Sequence, residues 1–340
     1  MANLSPALLD VAWTADLATV LEAASLAIGR LDARISASPV RAAWAERARW
    51  AGFAAARQGQ GAELDEIDIF ALACGLPLPQ RRPLAFAEDE AKALADWQTQ
   101  LANRSQPHWR ELVPVTLDLP PDWRDRPALI RALALTAAHA AANRSAAPWL
   151  TQPALFASLG ITEAPLPCLV APDKALRLSP RDPAIVRRYL KRLAKAAEDG
   201  LAQLAAMEAD RRRAAAVLAT QHRPGALVGL VALLQRRPLL SPAGVAQALG
   251  VGLSGAGKLL KRAAELGLLV EISGRQSWRA YLVPDVAVRF GFVSPPRGRP
   301  RADPLLTESV DQLLVQFDAE MAAFDARFAT IADAGEMLED

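Results

Sequence analysis

The 340-residue chain carries 39 Lys+Arg against 37 Asp+Glu, a formal net charge of +2, and is 52% hydrophobic and 22% charged. That balance excludes a disordered polyelectrolyte and allows two or three domains with a sizeable core. Two cysteines, Cys74 and Cys168, exclude a disulfide framework and fit a reducing compartment; three scattered histidines (His108, His139, His222) argue against a metal centre, and no cofactor is expected.

The first ten residues lack the basic start and apolar stretch of an export signal, so a cytoplasmic protein is expected. The uncharged run 238–257 is long enough for a membrane span, but Pro242, serines and several glycines interrupt it, and no membrane partner is expected.

Alanine and leucine dominate the apolar residues, which predicts a mainly α fold. Residues 1–145 read as a helical domain. Apolar residues at Leu17, Leu21, Ala24, Ile28, Leu31 and Ile35 recur at helical spacing behind a start at Ser5 or Asp16. Ser38-Pro39 predicts a capped second helix through Trp44 and Phe53, ended by Gly59-Gln60-Gly61. Residues 63–74, 86–101 and 127–143 are further helices. Six prolines break up 146–182, which reads as a proline-rich, loop-rich connector with room for a short helix near Leu155.

Asp182-Pro183 opens a long helix over 183–222, with Ile185, Tyr189, Leu193, Ala197, Leu201, Leu204 and Met207 as its buried stripe. Arg187, Arg188, Lys191, Arg192 and Lys195 occupy the remaining surface, which reads first as a solvated face.

Residues 223–292 have the layout of a winged helix-turn-helix: a short apolar helix over 226–236, a second over 243–249 capped by Ser241-Pro242, a turn at Gly250, and a third over 254–266 closed by Gly267. Strand-like 268–272 and 278–283 then flank a turn at Ser273-Gly274-Arg275-Gln276. Ala246 allows the helices to approach, Gly250 supplies the sharp turn, and Val245, Leu249, Val251, Ala256 and Leu259 are the expected core.

Charge is distributed unevenly. Residues 224–300 hold ten basic and three acidic side chains (+7), residues 301–340 two basic and ten acidic (−8), and the rest +3. A basic module therefore sits beside an acidic tail, the asymmetry that suggests an anionic partner. Double-stranded DNA is the expected partner. Ser254, Gly255, Gly257, Lys258, Lys261 and Arg262 would face the major groove, and Arg275, Gln276 and Arg279 would reach phosphates or the minor groove from the wing. Gly255 and Gly257 carry no base-reading side chain, so backbone contacts would outweigh sequence reading. The alternative is a scaffold that uses the same fold for assembly. The stretch Gly252-Leu253-Ser254-Gly255-Ala256-Gly257-Lys258 imitates a phosphate-binding loop, but Leu259 stands where a Ser or Thr hydroxyl would hold magnesium, and a helix rather than a strand precedes it. No nucleophile–base pair emerges, and no catalytic residue is assigned.

Residues 293–304 form a basic Pro-rich linker. Residues 305–333 form an acidic amphipathic helix with Val310, Leu313, Leu314, Phe317, Met321, Phe324 and Phe328 on one face. That stripe either docks on the chain's own helices or pairs with a second copy to make a homodimer; a third reading has the acidic helix compete with DNA for the basic module.

Ala147-Pro148-Trp149-Leu150, the helix after Asp182-Pro183, and Gly274-Arg275-Gln276-Ser277-Trp278-Arg279-Ala280 resemble an uncharacterised alphaproteobacterial family, a helical domain of unknown function followed by a helix-turn-helix DNA-binding domain. The resemblance covers most of residues 25–285 and implies DNA binding, as a transcriptional regulator or accessory factor, with no known reaction. A more distant similarity runs to Fic-like proteins, many of which end in a winged helix. Their catalytic histidine and glycine loop are missing: His139 is followed only by Ala140-Ala141-Ala142-Asn143-Arg144. That similarity implies a non-catalytic relative.

Overall fold

The computed structural model describes residues 6–78, 81–102, 107–274, 279–294 and 308–336, with side chains of the last stretch described from 309 to 326. The described chain is mainly helical and divides into two compact units, 1–70 with 84–204 and 71–83 with 205–340. Among the described residues no helix is long and apolar enough to cross a membrane.

The first unit is built from α1 (Ala15–Ser36), α2 (Arg41–Gly59), α3 (Glu66–Ala73, entered here as far as Phe70), α4 (Ala87–Ala102), α5 (Trp109–Leu112), α6 (Ala128–Ala142), α7 (Ala147–Ser158), α8 (Lys174–Leu178) and the start of α9 (Pro183–Ala219). Helix α1 follows its apolar spacing: Leu17, Ala24, Ile28, Leu31 and Ile35 are all buried. Its start is fixed by Thr14, whose Oγ1 accepts the N–H of Leu17 at 3.3 Å. Ser38-Pro39 does not open α2. Ser38 Oγ accepts from Val40 N–H inside a turn, and the helix begins at Arg41. Trp44, Trp50, Phe53, Phe70, Phe156 and Tyr189 are fully buried and form the aromatic part of this core.

The stretch 146–182, expected as a loop-rich connector, is an integral part of this unit. It holds α7, in which Pro148, Trp149, Pro153, Leu155 and Phe156 are buried, and α8. Prolines mislead here because Pro148 lies in the first turn of α7, where its missing N–H costs no helical bond. Pro153 does lie inside the helix, and buried apolar surface on both sides of it offsets the lost hydrogen bond. Residues 167–172 then run in close contact with three glycines. A Cβ on Gly52 would overlap the Pro167 carbonyl oxygen, one on Gly59 would overlap the Pro172 ring, and one on Gly200 would lie 3.0 Å from Cys168 Sγ. Burial pushes the Cys168 thiol pKa up to about 12, which keeps it protonated and unreactive.

Helix α9 has the expected start, with Asp182 Oδ1 accepting the N–H of Ala184 at 2.8 Å. Its buried stripe is Val186, Tyr189, Leu190, Leu193, Ala197, Leu204 and Met207, with Ile185 and Leu201 half-buried at its edge. Most of its basic face is neutralised locally. Arg187 pairs with Asp16 at 2.7 Å, Arg188 with Asp173 at 3.0 Å, and Lys195 with Asp199 at 2.8 Å. Arg192 donates to the Pro172 carbonyl at 2.7 Å.

The second unit contains the end of α9, α10 (Leu227–Arg236), β1 (Leu239–Leu240), α11 (Pro242–Leu249), α12 (Leu253–Glu265), β2 (Val270–Glu271), β3 (Tyr281–Leu282), α13 (Pro284–Arg289) and α14 (Glu308–Glu336). The three short strands form an antiparallel sheet in the order β1-β3-β2, with Leu282 opposite both Leu239 and Val270. The two-residue β1 is too short to show a period of two, and periodicity predicts no strand there.

Part of the apolar stripe of α14 is covered by the chain itself. Val310, Phe317 and Phe324 are buried and α14 packs along α10. Arg211, only 7% exposed in its side chain, donates to the Leu314 carbonyl and to Asp318, both at 2.8 Å, and Arg236 pairs with Asp325. Of the two readings of this helix, cis docking accounts for the ridge at seven-residue spacing, Val310, Phe317 and Phe324, while Leu313, Leu314 and Met321 stay half-buried.

Candidate functional site

Helix α11 begins where Ser241 Oγ accepts the N–H of Gly244 at 3.1 Å, and Pro242 follows at the first helical position. It ends at Gly250, whose φ of +66° places it in the left-handed region and turns the chain sharply into α12. Helix α12 buries Ala256, Leu260 and Ala263, at i, i+4 and i+7. Leu260, one position beyond the expected Leu259, is the fully buried leucine; Leu259, Leu249 and Val251 are half-buried.

This register turns Ser254, Gly255, Lys258 and Lys261 outward, all exposed, with Gly257 half-buried. A Cβ at Gly252, Gly255 or Gly257 would meet nothing within 4 Å, so packing does not account for these glycines. Among the described residues Lys258 has no carboxylate partner, and Lys261 has only Glu265 at 3.9 Å, both ends of that contact being exposed.

One expected site residue turns inward on the module. Arg262 is half-buried and its Nη2 donates to Gln221 Oε1 at 3.1 Å and to the Arg223 carbonyl at 3.3 Å, so it ties α12 to the segment leading into α10. Arg279, just before β3, lies 3.9 Å from Glu271 on β2, and the nearby Tyr281 side chain, then the Glu271 charge, raises its pKa. Arg275 and Gln276, the expected wing-tip contacts, lie outside the described residues. Lys258 and Lys261 are thus brought together on one exposed helix face, while Arg262 serves the scaffold beneath it and Arg279 stays partly exposed beside β3. Periodicity alone could have signalled this for Arg262, one position before buried Ala263 and two after buried Leu260.

The glycine-rich stretch 252–258 is the entry into α12 and follows helix α11, not the buried parallel strand that a nucleotide-binding loop requires. Among the described residues no group of three or more His, Cys, Asp or Glu side chains is placed to hold a metal ion.

No protein-family model and no curated protein sequence matches this chain.

Proposed function

We propose that the second unit is a winged helix-turn-helix that contacts duplex DNA, with α12 as the helix that enters the major groove. The topology α10-β1-α11-α12-β2-β3, with its antiparallel β1-β3-β2 sheet, supports this reading. The observation that carries it is the exposed face of α12. Lys258 and Lys261 project there from a helix whose opposite face is locked by Ala256, Leu260 and Ala263. Glycines that pack against nothing leave the start of that face open to close approach by a phosphate backbone. Binding of this kind is mainly electrostatic, so affinity exceeds selectivity among sequences, in keeping with a regulator or accessory factor.

Fluorescence anisotropy of a labelled random duplex, titrated with the full chain across a salt series, tests the reading. The expected result is binding at low salt, with log K falling linearly against log salt at a slope of about −0.9 per phosphate neutralised. Absence of binding at about 50 mM salt, where such contacts are strong, overturns it. That outcome would favour another reading, an assembly module. Leu253, 63% exposed at the tip of α12, is the observation on its side.

A further inference from the structure

The first unit contains a cavity of about 930 Å³ formed by α5, the extended stretch 113–119 and the C-terminal end of α6. That volume lies in the range used by small-molecule sites. One wall is apolar and includes the Trp109 indole, Val113 and Leu119. The other groups are polar and basic: His139, Asn143, Arg144 and Arg110.

Three features of this lining suit it to an anionic ligand. His139 is only 4% exposed, its imidazole makes no hydrogen bond to the described residues, and its ring nitrogens are not fully enclosed, so the access they keep is to this cavity. Burial lowers its pKa, so the ring is neutral at pH 7 and offers one donor and one acceptor. Second, neither Arg110 nor Arg144 forms an ion pair with a described carboxylate. The acids nearest in sequence do not contribute: Glu111 and Asp118 do not line the cavity, and Glu111 is taken up in capping α5 through the His108 N–H. Third, the Arg110 guanidinium lies over the Trp109 ring, 4.5 Å from its centroid. Stacking occupies the face of the guanidinium and leaves its in-plane N–H groups to a further acceptor.

We propose that this cavity binds a small organic anion with a flat apolar body. Arg110 and Arg144 hold its carboxylate, sulfonate or phosphate, the body lies against Trp109 and Val113, and a polar atom at its inner end meets His139. The assignment is independent of the DNA reading and gives the first unit a ligand of its own.

The probe is 1-anilinonaphthalene-8-sulfonate, a flat aromatic anion, titrated into the full chain and followed by fluorescence and calorimetry. The expected result is one saturable site, at least tenfold weaker in the double variant R110Q/R144Q and weaker again for the uncharged 1-anilinonaphthalene. Both arginines are exposed, so this variant should keep the wild-type circular dichroism and melting temperature. H139L, which keeps the volume and removes both nitrogens, adds an independent measurement: affinity for a hydroxylated anilinonaphthalene sulfonate falls more than affinity for the parent probe. No saturable site, several equivalent sites, or unchanged affinity in R110Q/R144Q overturns the proposal.

Discussion

As strings of Lys and Arg, the basic face of α9 in the first unit and the exposed face of α12 in the second unit are alike, yet the structure treats them oppositely. On α9, Arg187, Arg188 and Lys195 each meet a carboxylate within 3.0 Å, and Arg192 meets a carbonyl. On α12, among the described residues, Lys258 has no acid and Lys261 only a distant exposed one. The difference teaches that the number of cations on a helix says little about an anionic partner. What matters is whether the fold has already supplied the counter-charge.

The largest expected effect breaks the comparison directly. Lys258→Glu with Lys261→Glu should weaken binding to random duplex about 100-fold or more at low salt, since reversal replaces phosphate attraction by repulsion. Arg181→Gln with Arg187→Gln should change it less than about twofold, these side chains being already paired to Asp10 and Asp16. Comparable losses in both variants, read by anisotropy, would remove the distinction.

On stability the order reverses. Asp173 is nearly buried, with Oδ1 accepting from Ala175 and Leu176 N–H while Arg188 reaches both its oxygens at 3.0 Å. Asp173→Asn should cost about 1–3 kcal/mol in urea unfolding, the range for hydrogen bonds to a buried charged group. Lys258→Gln, on an open surface, should stay within about 0.5 kcal/mol. Gly52→Ala probes the same unit by packing. Its Cβ must displace the Pro167 backbone, for an expected loss of about 1–3 kcal/mol.

The smallest effect is a pH dependence. Burial holds His139 below its ordinary value near 6.5, so the unfolded chain takes up that proton first. Its contribution to stability is therefore full above about pH 6.5 and lost as pH falls through and below that value. Melting temperature measured from about pH 7.5 to 5 should fall less steeply in His139→Gln than in the wild type.

The helical class and several boundaries were legible in the sequence because they rest on local chemistry. Leu17 to Ile35 at three- and four-residue spacing, Ser241-Pro242 as a cap and Gly250 as a left-handed turn each act within one or two turns of chain. The packing of 167–172 was not legible, because prolines report on local backbone freedom while Gly52, Gly59 and Gly200 act from positions distant in sequence. The same limit applies to the candidate site. Lys258 and Lys261 follow from helical spacing, but the inward turn of Arg262 depends on Gln221 and the Arg223 carbonyl, about forty positions earlier. Nor could spacing decide between cis docking and dimerisation for α14, since an apolar stripe does not name its partner.

The pairing of Arg211 with Asp318 spans 107 positions and gives synthesis of this protein a definite order. At about 5–20 residues per second, a ribosome needs roughly 5–20 s between making the two. Until Asp318 is made Arg211 lacks its carboxylate, and α10, once made, lacks the cover of α14. The nascent second unit thus presents an apolar helix and an unmatched cation until α14 emerges and folds back.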